Sequence, residues 1–499
     1  MNFAVSNETM RYSDKMTIES GVPSLELMKR AGEGIYDCAK EKWGKKCAIF
    51  CGGGNNGGDG YVLALCMKKE GLSPHLVLVE EKFSTDGAFY FEKCKSLGIP
   101  HSVFSEDFDL SPFDSVADCI FGTGFYGELC GKELLCVEKI NSSGKYVVSA
   151  DINSGMNGNG SFSGVAVRSD LTVAIGFYKS GHYLGVASDN IKELRVIDIG
   201  IDLYGEKYFV PDISDLSGVI SERLRNCHKG TYGYVAMIGG CREYSGAAKL
   251  ANLAACAMRS GCGVLKLAVA ESVVPSVSPY LLESTVFPIP DKDGRMIFDS
   301  ERLLSLVKGT TAVSCGMGWG TSEENEKILE FLFKNYDGTL IIDADGLNAL
   351  ARMNFEIASK RTCRKLVLTP HPLEFSRISG FSMDEIFKNP VACAKEFAKR
   401  LGDGAVVLLK GASTVVCDEC ETYIVTRGCA GMATAGSGDV LSGILTGLLG
   451  YTHPCAKSVA CAAFIAGLAG EMAQEEYGSV SMIASDTVKY IPEAIKRIM

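Results

Sequence analysis

From about residue 47 to the C-terminal region, short runs of β-branched and apolar residues alternate with helix-length amphipathic segments. That alternation restricts the chain to parallel α/β sheets, because each strand needs a crossover helix before its parallel neighbour. In the first half, strands are expected at residues 47–51, 76–79, 116–121, 146–150, 171–175 and 194–197, with helices at 61–70 and 89–97 among those between them. This is the pattern of a doubly wound, Rossmann-like domain, where ligands sit beyond the strand C-termini. A second series runs through 233–238, 264–268, 312–315, 340–342, 366–368 and 406–409, and three helical segments rich in Ala, Gly and Leu close the chain. At 499 residues, two cores are expected. A charge-mixed passage around Pro211 sets the expected domains at 1–212 and 213–499.

The net charge of -10 argues against a nucleic-acid partner, since phosphate backbones demand clustered Lys and Arg. It leaves room for phosphorylated ligands, because glycine-loop N–H groups bind phosphate without net positive charge. The first residues carry neither a basic nor an apolar signal region, and apolar stretches such as 459–468 fall short of a bilayer span. A cytoplasmic protein without membrane contact is therefore expected. The 20 Cys are scattered within strand-like and helix-like runs, as reduced buried thiols would be. The CxxC at Cys417 and Cys420 lies between strand-like runs at 414–416 and 422–425, which reads as a hairpin turn rather than a zinc site.

Gly52-Gly53-Gly54-Asn55-Asn56-Gly57-Gly58-Asp59-Gly60 follows a strand and opens a helix. Glycines let the backbone turn tightly and approach a ligand, and a helix N-terminus favours an anion. The spacing is not the dinucleotide fingerprint. A plain turn would need neither the paired Asn nor the Asp. Two further strand ends carry polar residues: Asp118 with Gly122-Thr123-Gly124-Phe125-Tyr126-Gly127-Glu128, and Asp151 with Asn153-Ser154-Gly155. Oxygens converging from several loops suit a hard cation, and the adjacent N–H groups a phosphate; singly, each Asp could be a cap or turn former.

Together with Met10-Arg11, Asp14 and 27–32, these segments resemble the YjeF N-terminal domain, the NAD(P)H-hydrate epimerase family, over roughly residues 8–205. The resemblance implies substrate contacts at Asn55, Asn56, Gly57, Gly58, Asp59, at Gly122, Thr123, Gly124, Phe125, Tyr126, Gly127, Glu128, and at Asp151. It also implies a potassium ion on Asn56, Asp118 and Ser154. Asn153 stands where the family usually has Pro, a change that bears on loop stiffness rather than chemistry. Asp151 is the candidate acid/base by position.

The second glycine loop is Gly428-Cys429-Ala430-Gly431-Met432-Ala433-Thr434-Ala435-Gly436-Ser437-Gly438-Asp439, followed by a helix. Gly436, Ser437 and Gly438 place backbone N–H groups at that helix's N-terminus, an anion hole for a transferring phosphoryl group. Asp439 can accept a proton from a substrate hydroxyl, beyond any capping of the dipole.

This loop resembles the ribokinase-like superfamily. His228-Lys229-Gly230-Thr231, Gly316-Met317-Gly318-Trp319-Gly320, Asp343-Ala344-Asp345-Gly346, Thr369-Pro370-His371-Pro372 and Lys410-Gly411-Ala412-Ser413-Thr414 narrow it to the ADP/ATP-dependent NAD(P)H-hydrate dehydratases, over roughly 225–495. The resemblance implies a ribokinase-like α/β domain. Lys410, Gly411, Ala412, Ser413 and Thr414, with Gly428, Met432, Ala433, Thr434, Ala435, Gly436, Ser437 and Gly438, would hold ADP or ATP with Mg2+. Ala247, Gly318, His371 and Asp439 would face the hydrated NADH or NADPH. Of Asp343 and Asp345, one is expected as a helix N-cap and the other as a ligand or magnesium contact. A homo-oligomer is expected.

The chemistry follows: a ring hydroxyl deprotonated by Asp439 attacks a nucleotide phosphoryl group, and phosphate then leaves with help from the ring nitrogen. The rival reading is a small-molecule kinase fused to a non-catalytic ligand-binding domain, since fold relatives can lose catalysis.

Overall fold

The computed structural model describes residues 1–160, 164–253, 259–353 and 356–499. The chain divides into two compact units, Phe3–Tyr208 with Phe387–Asn389, and Met1–Asn2 with Phe209–Ile386 and Pro390–Met499.

The first unit carries a seven-stranded parallel sheet in the order His101–Val103, Ser73–Leu78, Lys46–Cys51, Ser115–Cys119, Tyr146–Ala150, Leu171–Ile175, Leu194–Ile197. Alternate residues of each strand feed opposite faces. Cys47, Ile49 and Cys51 join the helices Ser24–Cys38 and Asn55–Lys69 in one core. Ala48 and Phe50 join Val116, Val137 and Ile140 in the other. Strands buried on both sides explain why the sequence reads as continuous apolar runs rather than alternation.

In the second unit, seven parallel strands run Thr285–Ile289, Val264–Ala270, Tyr234–Ile238, Ala312–Cys315, Thr339–Ile342, Lys365–Leu368, Ala405–Leu409, and an antiparallel hairpin, Thr414–Cys417 with Thr422–Val425, extends the sheet. The hairpin places Cys417 in a strand and Cys420 exposed in its turn. Thr285–Ile289 escapes the periodicity because Pro288 interrupts it; Pro is tolerated there because the strand is at the sheet edge.

The segment read as too short for a bilayer lies inside the 22-residue helix Ala456–Tyr477, which is long and apolar enough to cross one. It is instead buried in the second unit's core beside Val416, Val425, Leu445 and Ile491. Apolar character all round is what a fully enclosed helix needs.

Candidate active sites of the two units

In the first unit the chain leaves Lys46–Cys51 and enters a helix already at Asn55, so the first glycine loop is largely that helix's opening turn. Two glycines are sterically required. A Cβ on Gly57 would stand 2.0 Å from the Gly52 carbonyl oxygen, and one on Gly52 would stand 2.1 Å from that of Ile120. Gly57→Ala should therefore displace the loop and cost about 2–3 kcal/mol, read as a lower melting temperature of the first unit. An unchanged melt would show that the loop yields freely.

The close turn buries Asn56 against the next strand end. Its Nδ2 donates to the Phe121 carbonyl at 2.9 Å, while its Oδ1 is buried without a partner. The Phe121 N–H donates to Ser154 Oγ at 2.9 Å, and Ser154 donates from its N and Oγ to Asp118 at 2.9 and 2.6 Å. Burial pushes the Asp118 carboxyl up, against the pull of Ser154, Ile120 and Ser149. Asn56 and Ser154 thus both bond the Phe121 backbone, and Ser154 in turn bonds Asp118, which links the three residues and leaves the Asn56 amide oxygen unsatisfied. That donor set suits a large hard cation.

Asp151 ends Tyr146–Ala150 with a left-handed backbone, φ 63°. Both of its ends are tied. The Lys179 ammonium, 1% exposed, pairs with its Oδ1 and donates to the Ile175 carbonyl at 2.7 Å. His182 Nε2 lies 2.7 Å from its carbonyl oxygen, while His182 Nδ1 accepts from the Lys179 N–H at 3.0 Å, so Nε2 carries the proton. Burial works to raise the Asp151 carboxyl, but Lys179, His182 and the Ile175 N–H together outweigh it and hold the group below the usual range. Burial and Lys179 press His182 down to about 4, keeping it neutral. Its other oxygen, Oδ2, faces Gly122, where a Cβ would stand 3.2 Å away. Lys179 and His182 escaped the sequence reading: one ends the two-residue strand Tyr178–Lys179 and the other closes the short turn after it, with no motif around either.

Asn55, Asn56, Asp59, Gly122, Thr123, Gly124, Phe125, Asp151 and Lys179 line one cavity of about 670 Å³, joined by Met10, Arg11 and Asp14 of the opening helix. Gly57 and Gly58 are buried outside its lining, while Tyr126, Gly127 and Glu128 are exposed and not in its walls. Asn153 supplies stiffness by other means than a proline. Its Nδ2 donates to Val167 O, Ser169 Oγ and Asn190 O at 2.8–3.0 Å, and its Oδ1 accepts from Thr172.

In the second unit, Gly436 (φ 96°) turns the chain into the helix Ser437–Leu449. First-turn N–H groups have no intrahelical acceptor, which leaves Gly438 and Asp439 facing outward at the positive end of the helix. Strand ends surround this helix start. Lys410, after Ala405–Leu409, pairs with Asp343 Oδ1 at 2.9 Å, and Ser442 of the helix donates to Asp343 Oδ2 at 2.6 Å. A Cβ on Gly438 would stand 3.6 Å from Lys410 Nζ, so ammonium and amides are adjacent. Among the described residues Asp439 has no ion-pair partner. Burial, then the Asp343 carboxylate, lifts it to about 7 against the pull of Lys410.

The capping expectation for Asp343 and Asp345 is corrected. Ala344, at φ 48°, occupies the N-cap of Asp345–Arg352. Asp343 has both oxygens engaged by Lys410 and Ser442, and Asp345 accepts from the Gly320 N–H at 2.7 Å. The strand end is wired across the sheet, leaving the helix to start without a side-chain cap. His371 caps Pro372–Ser379 instead: Nδ1 accepts from the Glu374 N–H at 3.3 Å, with the ring half-exposed. Ala247 and Gly318 meet, a Gly318 Cβ falling 2.9 Å from that of Ala247. Of the remaining nucleotide-loop residues, Gly411, Ala412, Ala433 and Ala435 are exposed and Ser413, Thr414, Gly428, Met432, Thr434 and Ser437 are partly so. The Gly428 N–H is held by Glu471 at 2.9 Å.

The NAD(P)H-hydrate dehydratase family model matches residues 235–493, and that of the YjeF-related protein N-terminus matches 24–181. The bifunctional NAD(P)H-hydrate repair enzyme Nnr of Thermofilum pendens is 34% identical over 96% of this chain and 93% of its own length. The chain belongs to the bifunctional NAD(P)H-hydrate repair enzymes. Another of these repair enzymes, from Coxiella burnetii, is 32% identical over 98% of this chain and 99% of its own. The second unit of this repair enzyme is similar to the ADP/ATP-dependent NAD(P)H-hydrate dehydratase of Bacillus subtilis, a structure obtained with ATP/Mg2+. That match has a TM-score of 0.51 and 29% identity, covering 58% of this chain and 98% of that one.

Proposed function

We propose that the first unit equilibrates the R and S forms of hydrated NADH and NADPH, and that the second dehydrates the S form at the expense of ADP or ATP. The observation that carries the second half is Asp439: a partly buried carboxyl near neutrality at a helix start, beside Lys410 and the Gly438 amide. There it takes the proton of the ring hydroxyl as that oxygen attacks the phosphoryl group. The amides of Gly436, Ser437 and Gly438, with Lys410, stabilise the charge on the phosphoryl oxygens. The segments around Gly411–Thr414 and Gly428–Ala435 cradle the nucleotide, and Ala247, Gly318 and His371 border the nicotinamide. Magnesium enters with the nucleotide phosphates, since Asp343 is already engaged. In the first unit Asp151 is the acid/base, and potassium on Asn56, Asp118 and Ser154 orders the loops. The unpartnered Asn56 Oδ1 supports that ion. The enzyme acts in the cytoplasm as a homo-oligomer.

The test is an unequal mixture of hydrate epimers with ADP or ATP, followed by dihydronicotinamide absorbance and free phosphate. Full recovery with stoichiometric phosphate is expected in potassium. Withdrawing potassium should stall recovery once the S form is consumed. A stable phosphorylated product would instead identify a kinase, and recovery confined to the S form in potassium would mean an inert first unit.

A further inference from the structure

The hydroxyl changes face either by leaving and returning or by opening and closing of the ring, and the first route moves protons on both faces. One is given to the departing oxygen and one is taken from the arriving water. Asp151, held ionised by Lys179, can only take one. Four further acidic side chains line the first unit's cavity, Asp14, Asp59, Glu80 and Asp86, and of these Asp59 is the buried one. Among the described residues the buried ammonium of the lining, Lys179, is committed to Asp151 and the Ile175 carbonyl.

Asp59 projects from the second turn of Asn55–Lys69 and is 8% exposed. Among the described residues its carboxyl has neither a hydrogen-bond donor nor a cation in contact, yet it lines the cavity. A buried carboxyl without such partners is stable in its protonated form. We propose that Asp59 is the acid of a two-carboxyl epimerase in which Asp151 is the base, resting on the assignment of epimerisation to this unit. Burial and then the Asp151 carboxylate push Asp59 well above the usual range, with Asp14 adding to this and Lys179 opposing it. These three reach it from the opening helix, the loop after Tyr146–Ala150 and the strand Tyr178–Lys179. Asp14 is less enclosed, so Asp59 is the better-kept proton. Two carboxyls driven apart by their surroundings divide into acid and base.

The step balances. Asp59 gives its proton to the ring hydroxyl, the carbon–oxygen bond breaks, water leaves, and the ring-nitrogen lone pair forms an iminium. Water then adds to the same carbon from the other face, Asp151 accepts its proton, and the electron pair returns to nitrogen. One proton has passed from Asp59 to Asp151. The reverse turnover, or exchange with solvent, resets the pair.

The full chain is assayed with each hydrate epimer in saturating potassium. Asp59→Asn should lower epimerase kcat by about 100-fold or more, with KM changed only a few-fold, while an unchanged melting transition of the first unit serves as the folding control. The wild-type epimerase kcat/KM should be bell-shaped in pH, its alkaline limb reporting loss of the Asp59 proton. That profile decides the matter even if the variant fails to fold. Epimerisation by Asp59→Asn within about tenfold of wild type, or a wild-type profile that stays flat through the alkaline range, overturns the proposal. Asp151→Asn separates the two readings. If it is active, the acid/base assignment of the site falls; if it is inactive while Asp59→Asn is active, only the role of Asp59 falls.

Discussion

Asp439→Asn should slow recovery of NADH from the S hydrate by about 10³-fold, with the nucleotide still bound, because the amide keeps the shape and hydrogen-bonding reach of the side chain but cannot accept the hydroxyl proton. The lost transition-state stabilisation is about 4 kcal/mol. The wild-type pH profile carries the same information. As a base, Asp439 works only when ionised, and burial followed by Asp343 holds it protonated up to about 7. Dehydration kcat/KM should therefore climb tenfold per pH unit below neutrality and level off above it. Isothermal titration with ADP separates binding from turnover. A variant turning over within tenfold of wild type would remove Asp439 from the chemistry.

Asp151→Asn should cut epimerisation by about 10³-fold, leaving S-form dehydration at the wild-type rate. The change also strands the Lys179 ammonium in the interior, since the amide cannot balance its charge. Removing one partner of so enclosed a pair costs about 3–5 kcal/mol, so the first unit should melt earlier while the second is unaffected. Rate and melt must be read together. A wild-type epimerase rate in a destabilised unit would make Asp151 a structural residue only.

The alternation of strand and helix, and the polar residues just past strand ends, were legible along the chain. Most parallel strands appeared within a few residues of their expected places, because strands buried on both faces must be written as apolar runs. Less legible were edges and ends. His101–Val103 spans too few residues to carry a period, and Pro288 disguises Thr285–Ile289. The helix Asn55–Lys69 starts six residues earlier than periodicity suggested, since glycine-rich first turns carry no amphipathic signal.

Two of the three carboxyls proposed for chemistry, Asp151 and Asp439, stand at junctions that are legible in the local sequence, because a strand-to-turn or loop-to-helix junction is a local event. Their chemical states are not. Asp151 is kept ionised by Lys179, 28 positions away, and Asp439 is raised toward neutrality by burial and then by Asp343, 96 positions before it. Whether a carboxyl holds or releases its proton depends on burial and on charges brought from other strands. Sequence determined which groups stand at the ends of the sheet; only the tertiary structure decided which oxygen meets an ammonium, which meets an apolar wall, and therefore which can act as a base.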